Sequence, residues 1–299
     1  MLETGLCGTT LRSPIMLGSG TLGERKEALI KTLHYGAGAV VSRTLRVDNT
    51  KREVFKPGYY WEDSYMLNAD NNNTTPWEYW ITATPEVESA GHLVISISAR
   101  HPEDCYTIVS ALERNHPPSF YEVNFSCSHS AKLYGSISHD DAKDAVEAVK
   151  RCSKKPVFLK LSLDNMNPRE LEIFDDFVDA YVLSNTIGPG LKIDVRTRRP
   201  VLASIVGGLS GAAIKPLVLA GIWDLKQYTE KPIIGVGGIE TAEDVLEYLI
   251  VGCDAVQVYT AAHRRGLNVF EELDSELSAL LEDMNETVEG IKGTLTTGG

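Results

Sequence analysis

The run Glu122-Val123-Asn124-Phe125-Ser126-Cys127-Ser128-His129 passes from β-branched and aromatic residues to clustered polar ones within a few positions. It reads as the end of a buried strand entering a loop that presents Asn, Ser, Cys and His together. An α/β barrel delivers its chemistry in this way, at the C-terminal mouth of its strands. A thiol placed there acts as a base or as a nucleophile according to what lowers its pKa, which makes Cys127 the first catalytic candidate.

A second constellation lies near the C-terminus. Ile233-Ile234-Gly235-Val236-Gly237-Gly238-Ile239 reads as a strand and a glycine turn, and Thr241-Ala242-Glu243-Asp244 as a helix start with a Thr cap and early acidic residues. One repeat later, Val256-Gln257-Val258-Tyr259-Thr260-Ala261 ends the last strand. Glycines after a seventh strand and backbone amides after an eighth form the usual barrel phosphate cradle. Glycine matters because the backbone must approach phosphate oxygens without a Cβ in the way. A tight turn alone would account for Gly237 and Gly238; the further pair Gly207-Gly208 shifts the balance toward a phosphorylated cofactor. The Gly235–Gly238 turn is no dinucleotide fingerprint, because it lacks the GxGxxG spacing and its strand is the seventh, not the first.

These residues need elements to hold them, and the pattern supplies them. Candidate strands are Pro14–Leu17, Ala39–Ser42, Leu93–Ile97, Phe120–Phe125, Val157–Leu161, Ala180–Leu183, Pro232–Val236 and Ala255–Tyr259. Candidate helices are Glu24–Tyr35, Pro102–Asn115, Asp140–Cys152, Pro168–Val178, Ala212–Tyr228, Ala242–Val251 and Val269–Met284. Eight strand candidates alternating with helices predict a (β/α)8 TIM barrel, with a doubly wound sheet as the alternative. One domain over residues 1–299 is expected, with a short polar tail, Gly293–Gly299. Two connections exceed a plain βα turn. Thr44–Gly91 carries Asn68 and the aromatics Trp61, Trp77 and Trp80, and Asn185–Gly211 is rich in glycine and basic residues. Both leave the C-terminal side of strands, and long loops there are usually functional.

Composition bounds the rest. The 299 residues are 43% hydrophobic and carry a formal charge of -12, which argues against nucleic acid or an anionic membrane as main partner. Cys7, Cys105, Cys127, Cys152 and Cys253 are an odd set without a CxxC pair, so no metal site and no iron–sulfur cluster held by this chain is expected. No leader pattern is visible and no apolar run approaches the ~20 residues of a membrane span. A reducing cytoplasm is the expected compartment.

The segment Ser184-Asn185-Thr186-Ile187-Gly188 through Gly207-Gly208-Leu209-Ser210-Gly211-Ala212-Ala213-Ile214-Lys215-Pro216 closely resembles class 1 dihydroorotate dehydrogenases. The similarity is best to the subclass that works with an iron–sulfur electron-transfer subunit. It extends through Ile193-Asp194, Thr197-Arg198-Arg199-Pro200 and the Gly235–Gly238 turn. The resemblance implies an FMN-binding barrel that oxidises dihydroorotate to orotate in pyrimidine biosynthesis, dimeric by family habit and paired with a flavin and iron–sulfur subunit. It implies Cys127 as the base that removes the C5 proton while a hydride leaves C6 for the flavin. It places Ser19 and Gly20 where the first loop meets the flavin, and Lys160 beside the ring. A lysine there supplies positive charge where reduced flavin becomes anionic. Gly207 and Gly208 match the cofactor loop, and Gly237, Gly238, Tyr259 and Thr260 the phosphate site. Asn124 and Asn185, with Thr186, match residues that grip the pyrimidine's amide edges, with Asn68 joining from the long connection.

Several positions depart from that pattern. His129 stands where these enzymes carry Asn and Ser128 where they carry Pro, and a Ser-Cys-Pro-His motif belongs instead to the flavin domain of dihydropyrimidine dehydrogenase. Arg43 replaces a lysine that approaches flavin and substrate; its fork could grip a carboxylate or fill the pocket. Ala69-Asp70-Asn71-Asn72 replaces a glycine-containing turn, Ile95-Ser96-Ile97-Ser98 lacks an expected Asn, and Tyr259 occupies a glycine position. Two alternatives therefore stand beside dihydroorotate oxidation: a reductase of uracil or thymine, and a barrel that binds a ligand without chemistry.

Overall fold

The structure is a computed structural model that describes residues 2–47, 58–69, 74–125 and 138–297. Short apolar runs that bury both faces form its centre. Eight parallel strands close into a barrel: β1 (Ile15–Leu17), β2 (Ala39–Val41), β3 (His92–Ser98), β4 (Phe120–Asn124), β5 (Val157–Leu161), β6 (Ala180–Leu183), β7 (Ile233–Val236) and β8 (Ala255–Val258). Each pairs with its sequence neighbour, and β8 pairs with β1 to complete the ring.

Side chains alternate across each strand, so every second residue points into the barrel. Met16, Ala39, Val41, Val94, Phe120, Phe158, Ala180, Val182, Ile234 and Ala255 form one apolar cluster, joined by Leu6 and Leu11 of an N-terminal hairpin (Thr4–Leu6 with Thr9–Leu11). The intervening residues, among them Ile95, Tyr121, Leu159, Tyr181 and Val256, pack with the helices in a larger cluster.

The helices are α1 (Lys26–His34), α2 (Tyr79–Glu88), α3 (Pro102–Asn115), α4 (His139–Cys152), α5 (Pro168–Asp175), α6 (Lys215–Leu225), α7 (Ala242–Val251), the short α8 (Thr260–Arg265), α9 (Val269–Met284) and α10 (Val288–Ile291). Several differ from expectation: α5 ends at Asp175 rather than at Val178, and α8 and α10 are additional. The helix anticipated over 24–35 begins at Lys26. The one anticipated over 212–228 splits into a 3-10 turn, Ala212–Ile214, and α6, because Pro216 fits only the first turn of an α-helix. The connection 44–91 contains α2, whose Pro85 lies inside the helix and obscures it in the sequence, while Trp80, Ala83 and Val87 bury its inner face.

The two long connections meet. Tyr59–Trp61 and Met66–Asn68 from the first, with Gly207–Ser210 and Ile187–Gly190 from the second, form one four-stranded antiparallel sheet. A small cluster of Leu67, Ala69 and Leu202 packs it. A two-residue ribbon, Ile193–Asp194 with Arg199–Pro200, extends from the same region.

Candidate active site

One turn of the alternation beyond the apolar layer, the inward positions become polar. Ser96 on β3, Glu122 on β4, Lys160 on β5 and Gln257 on β8 follow Val94, Phe120, Phe158 and Ala255 by two residues each. All four are buried; Glu122 is 0% and Lys160 4% exposed. Burying an ammonium or a carboxylate alone is costly, so such groups survive only when paired and hydrogen-bonded. Lys160 Nζ donates to Gln257 Oε1 at 3.0 Å and lies 3.8 Å from Glu122 Oε2. Gln257 Nε2 donates to Glu122 Oε2 at 3.1 Å, and Ser96 Oγ donates to Glu122 Oε1 at 2.8 Å.

The next inward residue on β4 is Asn124, which stands opposite Lys160 in the β4–β5 register. Its Nδ2 donates to Thr44 Oγ1 at 3.0 Å, and Thr44 lies 3.1 Å from Ser96 Oγ and 3.3 Å from Ser19 Oγ. Its Oδ1 accepts from Asn185 Nδ2 at 3.2 Å, and Asn185 Oδ1 accepts from the Thr186 amide at 2.8 Å. Asn124, Asn185 and Thr186, expected together from the sequence, are thus one hydrogen-bonded chain after β4 and β6. Through Thr44 and Ser96 that chain reaches Glu122 and Lys160. An amide-bearing ligand would exchange for these internal bonds, one donor and one acceptor at a time.

The glycine loops have the geometry of a close backbone approach. Gly237 and Gly238 follow β7 with φ of 137° and 71°, conformations that side chains disfavour. A Cβ on Gly238 would lie 2.7 Å from Lys215 Cβ and 3.0 Å from the Gly211 carbonyl oxygen. The turn is anchored behind: Tyr248 Oη donates to the Gly237 carbonyl at 2.5 Å, and Thr241 and Asp244 form a capping box on α7. Burial works against the Asp244 carboxylate, but Lys215, 2.5 Å away, and the Glu240 and Thr241 amides hold its pKa below the usual value. Thr260, at the start of α8, bonds Ser210 of the mouth sheet at 3.0 Å between hydroxyls. Gly207 packs so closely on Asn68 that a Cβ would meet its carbonyl oxygen at 2.6 Å. A glycine-lined turn at the barrel mouth suits a phosphate, and a buried ammonium suits a group that gains negative charge.

Tyr259 is accommodated by the first loop. Its hydroxyl accepts from the Thr21 amide at 2.9 Å and bonds Thr21 Oγ1 at 2.7 Å. Its ring lies over Gly20, where a Cβ would fall 2.1 Å from the aromatic carbon Cε2. Tyr259 and Gly20 are thus complementary in size. Arg43 Nη1 donates to Glu24 Oε2 at 2.9 Å, an internal carboxylate. Burial raises the Glu24 pKa, but hydrogen bonds from Thr74 and the Arg43 charge outweigh it and hold the group below its ordinary value. Cys127 and His129 lie outside the described residues, as do Ser126, Ser128 and Asp70 to Asn72.

The profile of the family described as dihydroorotate dehydrogenase matches residues 1–281. The chain belongs to the dihydroorotate dehydrogenase family. It is 33% identical to the dihydroorotate dehydrogenase B (NAD(+)) catalytic subunit of Methanocaldococcus jannaschii, over 98% of this chain and 97% of that protein. The proteins of the same name from Thermoplasma acidophilum and Pyrococcus abyssi are 32% and 31% identical, each covering at least 94% of both chains. Family membership makes the chain a flavin-dependent oxidoreductase of the type that acts on a CH–CH bond. Among the described residues no helix is long and apolar enough to cross a membrane.

Glu122 and Gln257 went unassigned in the sequence, although the signal was present. Counting back by two from Asn124 puts Glu122 on the same inward face, and an acidic residue there requires a partner.

Proposed function

We propose that this chain oxidises dihydroorotate to orotate in pyrimidine biosynthesis, with FMN as its flavin and Cys127 as the base. The observation that carries this reading is the register of Asn124 against the buried Lys160, which sets a pyrimidine-gripping amide beside a cation suited to a flavin ring. FMN, when bound, accepts the electron pair of the oxidation. Gly237, Gly238, Tyr259 and Thr260 hold its phosphate, Gly207 and Gly208 line it, and Ser19 and Gly20 meet it from the first loop. Asn124, Asn185, Thr186 and Asn68 bind the amide edges of the pyrimidine. Cys127 Sγ takes the C5 proton, which requires its pKa to lie near the working pH. Arg43, positioned by Glu24, and His129 complete the substrate shell.

The relatives are named as catalytic subunits. By the same reading this chain pairs with a flavin and iron–sulfur subunit that passes electrons onward, forms a homodimer, folds as one FMN domain and works in the cytoplasm. The described cysteines Cys7, Cys105, Cys152 and Cys253 are free thiols, in keeping with a reducing compartment.

The test is an anaerobic titration of the purified protein with dihydroorotate, dihydrouracil and dihydrothymine, following flavin absorbance. Bleaching by dihydroorotate is expected. The Ser126–His129 motif favours a second reading, a uracil or thymine reductase, and bleaching by dihydrouracil alone would replace the first with it. A preparation without stoichiometric FMN would remove both.

A further inference from the structure

Lys160 does not touch the carboxylate that neutralises it. Its Nζ stands 3.8 Å from Glu122 Oε2, beyond hydrogen-bond reach, with the Gln257 amide inserted between them. A lysine and a carboxylate free to settle would close to a charge-assisted bond of about 2.8 Å. They are prevented from doing so at both ends. Glu122 is held by Ser96 on one oxygen and Gln257 on the other, and Lys160 by the Gln257 carbonyl. The orientation of that amide is forced, because the reverse would turn its NH2 toward an ammonium and its oxygen toward a carboxylate. Gln257 thus takes one of the three ammonium donors, leaving two for a ligand at the mouth.

The arrangement matters because the interior screens charge poorly. At 0% exposure the Glu122 carboxylate acts on whatever Lys160 acts on. We propose that Glu122 is a positioning residue: through Gln257 it fixes the Lys160 ammonium and offsets part of its charge, and so holds down the reduction potential of the bound flavin. This rests on the reading of Lys160 as the flavin-side cation. An ammonium alone favours the reduced, anionic ring; the carboxylate behind it weakens that preference, which eases onward transfer of the electrons to a partner. Catalytic contact belongs to Lys160, and Glu122 acts through it.

The experiment is the two-electron midpoint potential of FMN bound to the full chain, measured by anaerobic dye equilibration. Glu122→Gln keeps the shape and an acceptor for Ser96 but removes the charge. It is expected to raise the reduced-to-oxidised ratio at fixed poise about tenfold, which is ~30 mV for a two-electron couple. Gln257→Met removes the spacer, lets Lys160 close on Glu122, and is expected to lower the ratio. An unchanged or lowered potential in Glu122→Gln overturns the proposal. Should that variant not fold, an unchanged or raised potential in Gln257→Met overturns it independently. Wild-type protein that holds no FMN would defeat the flavin reading itself, and the proposal with it. Wild-type protein that holds FMN beside an unshifted Glu122→Gln defeats only the role of Glu122.

Discussion

Asn68 pairs with Gly208 across the mouth of the barrel, which joins the connection after β2 to the connection after β6 in a single sheet. Two residues further along the same strand, Ser210 bonds Thr260 at the β8 corner. A substrate-binding candidate, Asn68, and the cofactor-loop glycines therefore share one sheet, and that sheet is tied to the phosphate-binding candidate Thr260. The pairing needs glycine. Strands lie about 4.8 Å apart, and Gly207 approaches the Asn68 backbone more closely than any side chain would allow.

Gly207→Ala tests that linkage. The new Cβ would lie 2.6 Å from the Asn68 carbonyl oxygen and 2.5 Å from Leu202 Cδ1, and the backbone oxygen cannot rotate away. Overpacking of this kind costs about 1–3 kcal/mol. Asn68 should shift with the strand, so KM for dihydroorotate is expected to rise while FMN content stays near stoichiometric. Urea unfolding and a substrate titration give the two numbers. Wild-type stability together with wild-type KM would contradict the close approach.

The contact between Gly20 and Tyr259 predicts a compensating pair. Gly20→Ala sets a methyl 2.1 Å from the Tyr259 ring and should destabilise the protein by about 1–3 kcal/mol. In a Tyr259→Gly background, where the ring is gone, the same substitution should cost far less. A double-mutant cycle of urea unfolding free energies isolates the coupling. Additive effects would show that the ring does not rest on Gly20.

The barrel was legible in the sequence because its strands are buried on both faces and read as short apolar runs separated by helical ones. Val269–Met284 was placed to the residue, since Phe270, Leu273, Leu277 and Leu281 keep a clear helical spacing. The mouth sheet was not legible. Its strands are three or four residues long, lie in segments that look like loops, and pair over long sequence separations that no local pattern records. The site divides the same way. Asn124, Lys160 and the Gly237-Gly238 turn announce themselves through strand ends and glycines. Glu122 announces only that it needs a partner; that the partners are Lys160 and Gln257 on other strands is in no local pattern. Tyr259 reads as an intrusion until Gly20 and Thr21 are seen to receive it.

Cys127→Ala separates binding from chemistry. It removes the proposed base and leaves the proposed flavin cradle and the asparagine chain in place, so stoichiometric FMN and substrate binding should persist. Reduction of the flavin by dihydroorotate should fall by about 10²–10⁴-fold, the usual contribution of a positioned base. Stopped-flow absorbance under anaerobic conditions reads the rate. Near-wild-type reduction would assign the proton to another group, and His129 would be the first to examine.

The Glu24–Arg43 pair sets a pH dependence with a definite sign. Burial pushes the Glu24 carboxyl up from 4.5, but the bonds from Thr74 and the Arg43 guanidinium at 2.9 Å outweigh it, and the net shift is downward. A carboxylate whose folded pKa is depressed stabilises the protein above its unfolded pKa and loses that contribution as pH falls through the folded value. Glu24→Gln should therefore be less stable than wild type at neutral pH by about 1.5–3 kcal/mol, the range for a hydrogen bond to a charged group. It also removes the Glu24 carboxylate from Arg43, which is 8% exposed. The gap should hold down to roughly the ordinary carboxylate range and then narrow at more acid pH as wild-type Glu24 takes up its proton. Urea unfolding of both proteins across neutral and acid buffers measures it. A gap that is constant into acid, or that widens there, would mean that the carboxylate is not held by Arg43 and Thr74 in the folded protein.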